Sequence, residues 1–247
     1  MPTYSSRRVA LVTGGSRGIG AAISRRLAAN GHAVAINYAG RSDDAEALAA
    51  ELTATGAQAI ALQADVADPQ AVRQLFDAIE ARFGGIDVVV NSAGVLQLAT
   101  LADSDDALFE RVISINLKGA FNVLRESARR VRDGGRLISL STSVVGIKLE
   151  NYSVYAASKA AVETMGAILS KELRGRNITV NAVAPGPTAT DLFLDGKAPE
   201  LIERLAKMNP LERLGTPEDI AGAVAFLAGA DGGWINGQVL RANGGMV

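Results

Sequence analysis

Short apolar runs alternate along this chain with longer stretches of mixed character. Val9–Thr13, Ala33–Tyr38, Gln58–Gln63, Ile86–Val90, Arg136–Leu140, Asn177–Val183 and Gln238–Ala242 read as strands. Continuous runs such as Val9-Ala-Leu-Val-Thr13 fit strands buried on both faces of a parallel sheet. Between them, Ile19–Asn30, Asp43–Thr55, Pro69–Phe83, Ser104–Arg130, Val154–Leu173 and Pro217–Leu227 carry helical spacing, and Gly31, Gly56 and Gly84-Gly85 close the first three. Strands alternating with helices predict an α/β protein with one doubly wound parallel sheet and helices on both of its faces. No linker, repeat or low-complexity segment interrupts residues 1–247, so one domain is expected. The stretch 187–212, interrupted by Gly196, Pro199 and Pro210 and increasingly polar after Thr190, predicts a mobile helical lid.

Composition narrows the chemistry. Hydrophobic residues make up 48% of the 247, enough for a large core, and the net charge is −1 with no basic run suited to a nucleic-acid groove. There is no cysteine, which excludes disulfides, thiolate nucleophiles and cysteine metal sites. The single histidine, His32, stands in a turn before a strand and reads as a surface residue, which argues against both zinc and Ser-His-Asp catalysis. Met1–Arg8 is polar and lacks an apolar signal region, and no apolar run is long enough to span a membrane. A soluble, cytoplasmic protein is expected.

Several motifs then stand out by their position. Gly14-Gly-Ser-Arg17-Gly18-Ile-Gly20 joins the first strand to the first helix, where backbone N–H groups at a positive helix end can hold a pyrophosphate. Its Gly14-x3-Gly18-x-Gly20 spacing departs from the usual GxGxxG. The second strand ends in Asn37-Tyr38-Ala-Gly-Arg41-Ser42, with no acid to hold a ribose. Arg17, Arg41 and Ser42 suit a 2′-phosphate instead, although Arg41 also fits a solvated loop. Asp65, after the third strand, can accept from an adenine amino group or cap the next helix. Asn91-Ser-Ala93-Gly94 offers small residues against which a flat ligand can lie. Asn116, set among apolar residues, needs partners, either an i−4 backbone bond or a local helix widening. Tyr155 and Lys159 are four apart in a helical segment and share a face, so the cation can lower the phenol pKa and make Tyr155 an acid or base near neutral pH.

Taken together, Thr13 to Gly20, Asp65, Asn91-Ser-Ala-Gly94, Asn116, Tyr155-x3-Lys159 and Pro185-Gly186 resemble the short-chain dehydrogenase/reductase family over nearly the whole chain. The pattern at Asn37-Tyr38-Ala39 and at Pro185-Gly-Pro-Thr-Ala-Thr-Asp191 is most similar to 3-oxoacyl-[acyl-carrier-protein] reductases and polyhydroxynaphthalene reductases. The resemblance implies a Rossmann-type fold, a homotetramer, and reduction of a ketone or 3-oxoacyl carbonyl with NADP(H). An NAD-dependent alcohol, sugar or polyol dehydrogenase, or a non-catalytic NADP(H) sensor, are the alternatives.

The same resemblance implies roles for the side chains. Tyr155 would donate a proton, Lys159 would lower its pKa and hold the nicotinamide ribose, and Asn116 would hold a water. Besides the residues already named, Ser16, Ile19, Val66, Thr188 and Thr190 are expected to contact the cofactor. Ser92 replaces the family's second Asn. The family's catalytic serine lies 13 residues before the tyrosine, which is Thr142 here; Ser143 begins the Ser-x-x-Gly that often accompanies it, and Ser141 is a third candidate. No metal is implied.

Overall fold

A computed structural model of the protein describes residues 7–247; Met1–Ser6, read above as polar, lie outside them. The first half runs β1 (Val9–Thr13), α1 (Gly18–Ala29), β2 (Ala33–Tyr38), α2 (Ser42–Ala54), β3 (Ala59–Gln63), α3 (Pro69–Phe83) and β4 (Ile86–Asn91). The second half continues with α4 (Asp106–Val112), a π-helical segment at Ile113–Lys118, α5 (Gly119–Arg130), β5 (Val131–Leu140), α6 (Val144–Ile147) and α7 (Ser153–Glu172). Then come β6 (Thr179–Pro185), α8 (Asp191–Leu194), α9 (Pro199–Ala206), α10 (Pro217–Ala228), a 3₁₀ turn at Asp231–Trp234 and β7 (Val239–Ala242). The strands form one parallel sheet in the order β3-β2-β1-β4-β5-β6-β7.

This is the expected Rossmann-type α/β fold, and its core follows from strand periodicity. Successive side chains of a strand point to opposite faces. In β1, Ala10 and Val12 pack with Ile23, Leu27 and Val224 of α1 and α10, while Val9 and Leu11 pack on the other face, with Phe76, Ile79 and Val123 of α3 and α5. A strand apolar at every position thus feeds two cores at once, each fully buried aliphatic contributing about 1.5–3 kcal/mol. The chain winds outward from β1 to β3, then restarts at β4 on the other side of β1. That reversal opens a crevice at the carboxyl ends of the strands.

Four local readings are corrected. The segment 104–130 is not one α-helix: it widens into the π-helical segment that carries Asn116, whose side chain finds its partners in Val95 and Ser158 rather than in its own i−4 carbonyl. β5 begins at Val131, so Gly134-Gly135 lies inside it, at a register shift opposite β4, rather than ending the helix. β6 starts two residues late and runs to Pro185, because Asn177 is left-handed at φ 52. His32 is buried, not on the surface; its Nδ1 lies 3.1 Å from the Leu27 carbonyl, and burial pushes its pKa down. The stretch 187–212 holds two short helices, α8 and α9. Among the described residues, no helix is long and apolar enough to cross a membrane.

Candidate active site

The carboxyl ends of β1, β2, β4, β5 and β6 open on one cavity of about 500 Å³. The Gly-rich turn forms its floor. Gly20 is required there for close approach, since a Cβ on it would stand 2.1 Å from the Gly14 carbonyl oxygen. Ser24 Oγ donates to the carbonyl of Gly15 (3.2 Å) or of Gly20 (3.0 Å), tying turn to helix. Arg17, which precedes α1, caps it with no side chain, and the first turn carries no acid. The leading N–H groups are therefore left for an anion. Gly14, Ser16, Arg17, Gly18, Ile19 and Gly20 all line the cavity.

Behind the turn, Thr13 Oγ1 accepts from the N–H groups of Ser92 (3.1 Å) and Ala93 (3.2 Å) and donates to Asn91 Oδ1 (3.3 Å). Asn91 is thus a support that does not reach the cavity; Ala93 and Gly94 line it. Gly94 matters for what it leaves open. A Cβ there would sit 3.3 Å from Asn116 Oδ1 and 3.4 Å from Lys159 Nζ, so the space above Lys159 is free for a flat ring.

The nucleotide end differs from expectation in two details. Asn37 is buried, and its amide donates to the carbonyls of Ala64 (3.0 Å), Leu62 (3.3 Å) and Tyr38 (3.4 Å). It staples β2 to the end of β3, a task its amide N–H performs and a carboxylate would not. Ser42 does not line the cavity; its Oγ donates to Asp43 Oδ1 at 3.2 Å. Arg41 does line it, with a side chain 67% exposed and 3.7 Å from Asp44. Tyr38, Asp65 and Val66 complete this end. Asp65 also accepts from the Ala67 N–H at 2.9 Å, so it caps the following turn while facing the cavity. At the opposite rim stand Pro185, Gly186, Thr188 and Thr190; Thr190 Oγ1 accepts from the Phe193 N–H and caps α8.

Tyr155 and Lys159 project from one face of α7 into the same cavity. Lys159 is buried and its ammonium donates to the Leu140 carbonyl at 2.8 Å, at the very end of β5. The three hydroxyls that follow β5 divide their tasks. Ser141 donates to the Glu163 carboxylate. Ser143 donates to the Ala184 carbonyl at 3.2 Å and accepts from Asn243 Nδ2 at 2.9 Å. Thr142 accepts from the Val144 N–H at 3.3 Å and lines the cavity with Tyr155. Ser143, offered above as an equal candidate, is committed elsewhere. Asn116 is buried and does not line the cavity. Its amide clamps Val95 by accepting from the N–H (2.8 Å) and donating to the carbonyl (2.9 Å), and it reaches Ser158 Oγ at 3.4 Å.

Burial overturns one expectation. Loss of water pushes the Tyr155 phenol up to about 12, with the neighbouring Thr142 hydroxyl pulling the other way. The same cause pushes Lys159 down to about 8. The anticipated lowering of the phenol by Lys159 is not what the fold produces, because desolvation penalises the charged form of each group. At neutral pH Tyr155 is held as a proton donor.

Sequence reasoning missed Ser24, Ile115, Tyr152 and Met246; the last three line the cavity. Ile115 could have been found as the apolar neighbour of Asn116, whereas nothing local marks Met246.

A Gly-rich turn over an uncapped helix, an open ledge at Gly94, and a half-buried Tyr155 with a buried Lys159 on one helix face define a dinucleotide-dependent oxidoreductase site. The chain belongs to the short-chain dehydrogenase/reductase family. A family profile described as enoyl-(acyl carrier protein) reductase matches residues 14–247. A short-chain type dehydrogenase/reductase of Picea abies is 48% identical, over 97% of this chain and 92% of its own. The NADPH-dependent aldehyde reductase-like protein, chloroplastic, of Arabidopsis thaliana is 46% identical over 100% of this chain and 96% of its own. The crystal structure of a short chain dehydrogenase from Burkholderia cenocepacia in complex with NADP superposes with a TM-score of 0.92, at 39% identity, covering 98% of each chain.

The depressed Lys159 pKa has a stability consequence. Between about 8 and its ordinary value of 10.5, the unfolded chain holds a proton there that the folded chain has released. Stability must therefore rise with pH across that window. Above pH 10 the raised Tyr155 works in the opposite sense, so the test belongs below it. Lys159→Met should stabilise the protein against urea more at pH 7.5 than at pH 9.5, by a difference on the order of 2 kcal/mol. The measurement is made without nucleotide and at one protein concentration. An equal effect at both pH values would contradict the burial argument.

Proposed function

We propose that this protein is an NADP(H)-dependent reductase that converts an aldehyde, ketone or 3-oxoacyl carbonyl to the alcohol. The observation that carries this reading is that Tyr155, Lys159 and Thr142 meet on the wall of the one cavity that the Gly-rich turn also lines. A relative named as an NADPH-dependent aldehyde reductase-like protein and a similar structure in complex with NADP support the choice of cofactor. When bound, the cofactor supplies the hydride.

The chain's own residues do the rest. Thr142 holds the substrate oxygen against Tyr155, and the Tyr155 O–H donates its proton to that oxygen as negative charge develops on it. The buried Lys159 ammonium stabilises the phenolate left behind and holds a ribose hydroxyl in the space that Gly94 leaves open. Asn116 keeps the Gly94–Val95 ledge at the correct height through its two bonds to Val95. At the other end, the uncapped start of α1 receives the pyrophosphate, while Arg17 and Arg41 receive a 2′-phosphate.

Two substitutions separate the roles. Tyr155→Phe should lower kcat by about 10³-fold or more while leaving NADPH affinity within a few-fold, because only the proton donor is lost. Thr142→Val should cost about 10²-fold in kcat/KM, and Ser143→Ala distinctly less. NADPH oxidation with a carbonyl panel, together with NADPH titration, measures both. Turnover by Tyr155→Phe within tenfold of the parent would remove Tyr155 from this role.

Cofactor preference rests on Arg41 rather than on Asn37, whose side chain is committed to β3. A charge-assisted hydrogen bond to phosphate is worth about 1.5–3 kcal/mol. Arg41 is largely exposed and shared with Asp44, so the lower end applies, a preference for NADPH of about tenfold. Arg41→Ala should raise KM for NADPH by that factor and leave KM for NADH nearly unchanged. A loss shared equally by both cofactors would count against the assignment.

We also propose a homotetramer. β7 is an edge strand, and beside it Trp234 is 98% exposed, a costly arrangement for an isolated subunit. Phe121 and Ile168 on α5 and α7 offer a second exposed apolar face. Light scattering at micromolar concentration should give four times the 25.6 kDa chain mass; a monomer mass would exclude it.

A further inference from the structure

The cavity extends past Tyr155 to a wall that the chemistry above does not use. Three separate stretches build it: Ile147 and Leu149 after β5, Leu192, Phe193 and Leu205 in the 187–212 region, and Met246 near the end of the chain. All six side chains are apolar. Of the charged residues in these stretches only Asp191 reaches the cavity, and it is an anion on the exposed rim. A carboxylate or phosphate placed here would find no cation among these six residues, the cations that line the cavity being Arg17, Arg41, Arg111 and Lys159 on other elements.

Met246 reaches the wall through a specific fold of the tail. Asn243 Oδ1 accepts from the N–H groups of Gly245 (3.0 Å) and Met246 (3.2 Å), closing a tight turn. Gly244 and Gly245 are both left-handed, at φ 67 and 87, which side chains rarely tolerate. The turn is gripped on both sides. Asn243 Nδ2 donates to Ser143 Oγ at 2.9 Å, one residue from Thr142. A Cβ on Gly244 would lie 2.5 Å from Asn209 Oδ1, and one on Gly146 would lie 2.8 Å from Val247. Ser143 is therefore the post to which the tail is tied, and the tail bridges the catalytic loop to the 187–212 region.

We propose that Met246 is a specificity-determining residue: held by Asn243 on Ser143, it limits the size of an uncharged, apolar aldehyde or ketone that can lie against Tyr155. The choice of aldehyde or ketone rests on the reductase reading above; the shape and polarity of the wall do not. A flexible thioether at this place fills the gap left by a small substrate and yields only partly to a larger one.

The test uses the full chain with benzaldehyde, 2-naphthaldehyde and 4-carboxybenzaldehyde. The parent should prefer benzaldehyde to its carboxylated analogue by about tenfold or more in kcat/KM. Met246→Ala should raise the naphthaldehyde-to-benzaldehyde ratio of kcat/KM by about tenfold, mostly through KM, and Met246→Trp should lower it by a similar factor. Asn243→Ala, which frees the turn, should shift the ratio in the direction of Met246→Ala. Thermal unfolding and NADPH titration confirm that each variant is folded and binds cofactor. Calorimetric binding of phenol and 2-naphthol with NADP⁺ present repeats the size comparison without turnover. A size ratio unmoved by both Met246 variants in both assays would overturn the proposal, as would equal use of the carboxylated aldehyde. Shifted binding ratios with no aldehyde reduced would keep Met246 as the wall and sink the reductase reading instead.

Discussion

The hydrogen bond from the Lys159 ammonium to the Leu140 carbonyl joins the end of the central sheet to helix α7, and the site is arranged around it. A buried ammonium is tolerable only where oxygen atoms receive its protons. The Leu140 carbonyl stands at the last residue of β5, and beyond it Ser141 and Ser143 still donate their N–H groups to Val183 and Pro185 of β6, which holds the hydroxyl-bearing loop against the sheet. Once Lys159 is seated, the helix places Tyr155 one turn earlier on the same face, beside Thr142. A shift of the sheet relative to α7 would break all three relations together.

Much of the remaining polar chemistry serves to hold backbone in place. Thr13, Asn91, Asn37, Ser24 and Asn116 are all buried, and each spends its hydrogen bonds on main-chain groups or on a neighbour that does so. At the Gly-rich turn and at Ala93-Gly94 the surface that faces a ligand is then mostly small residues and backbone. This division is economical: rigid side chains behind the wall fix the height of the floor at Gly20 and of the ledge at Gly94, where even one methyl group would not fit without a shift. The π-helical segment belongs to the same scheme, because it carries the Asn116 amide that spans from its own helix to Val95.

Charge in the site is controlled more by loss of water than by pairing. Tyr155 and Lys159 move in opposite directions, and in both cases the neutral form gains. A phenol that stays protonated is suited to giving a proton to a carbonyl oxygen, and an ammonium close to its own pKa responds readily to a nearby anion. The apolar wall at Met246 and Phe193 extends the same dry environment toward the substrate side.

The sequence by itself determined the alternation of strands and helices, the two-sided core and the positions of the Gly-rich turn, Asn116, Tyr155 and Lys159. These follow from local periodicity and spacing: apolar runs must be covered on both faces, and residues four apart must share a helix face. That the Ser143 hydroxyl is engaged elsewhere was not legible, because the partner that donates to it, Asn243, stands 100 residues away. Asn37 lines the cavity as expected, but its bonds to the end of β3 were not legible, since a linear motif does not show which strand end a side chain will bridge. The sign of the Tyr155 shift also needed the fold, as spacing reports that a cation is near but not that both groups are dry. Met246 reaches the cavity only because two left-handed glycines and the Asn243 turn carry it there, a long-range packing result with no local signature.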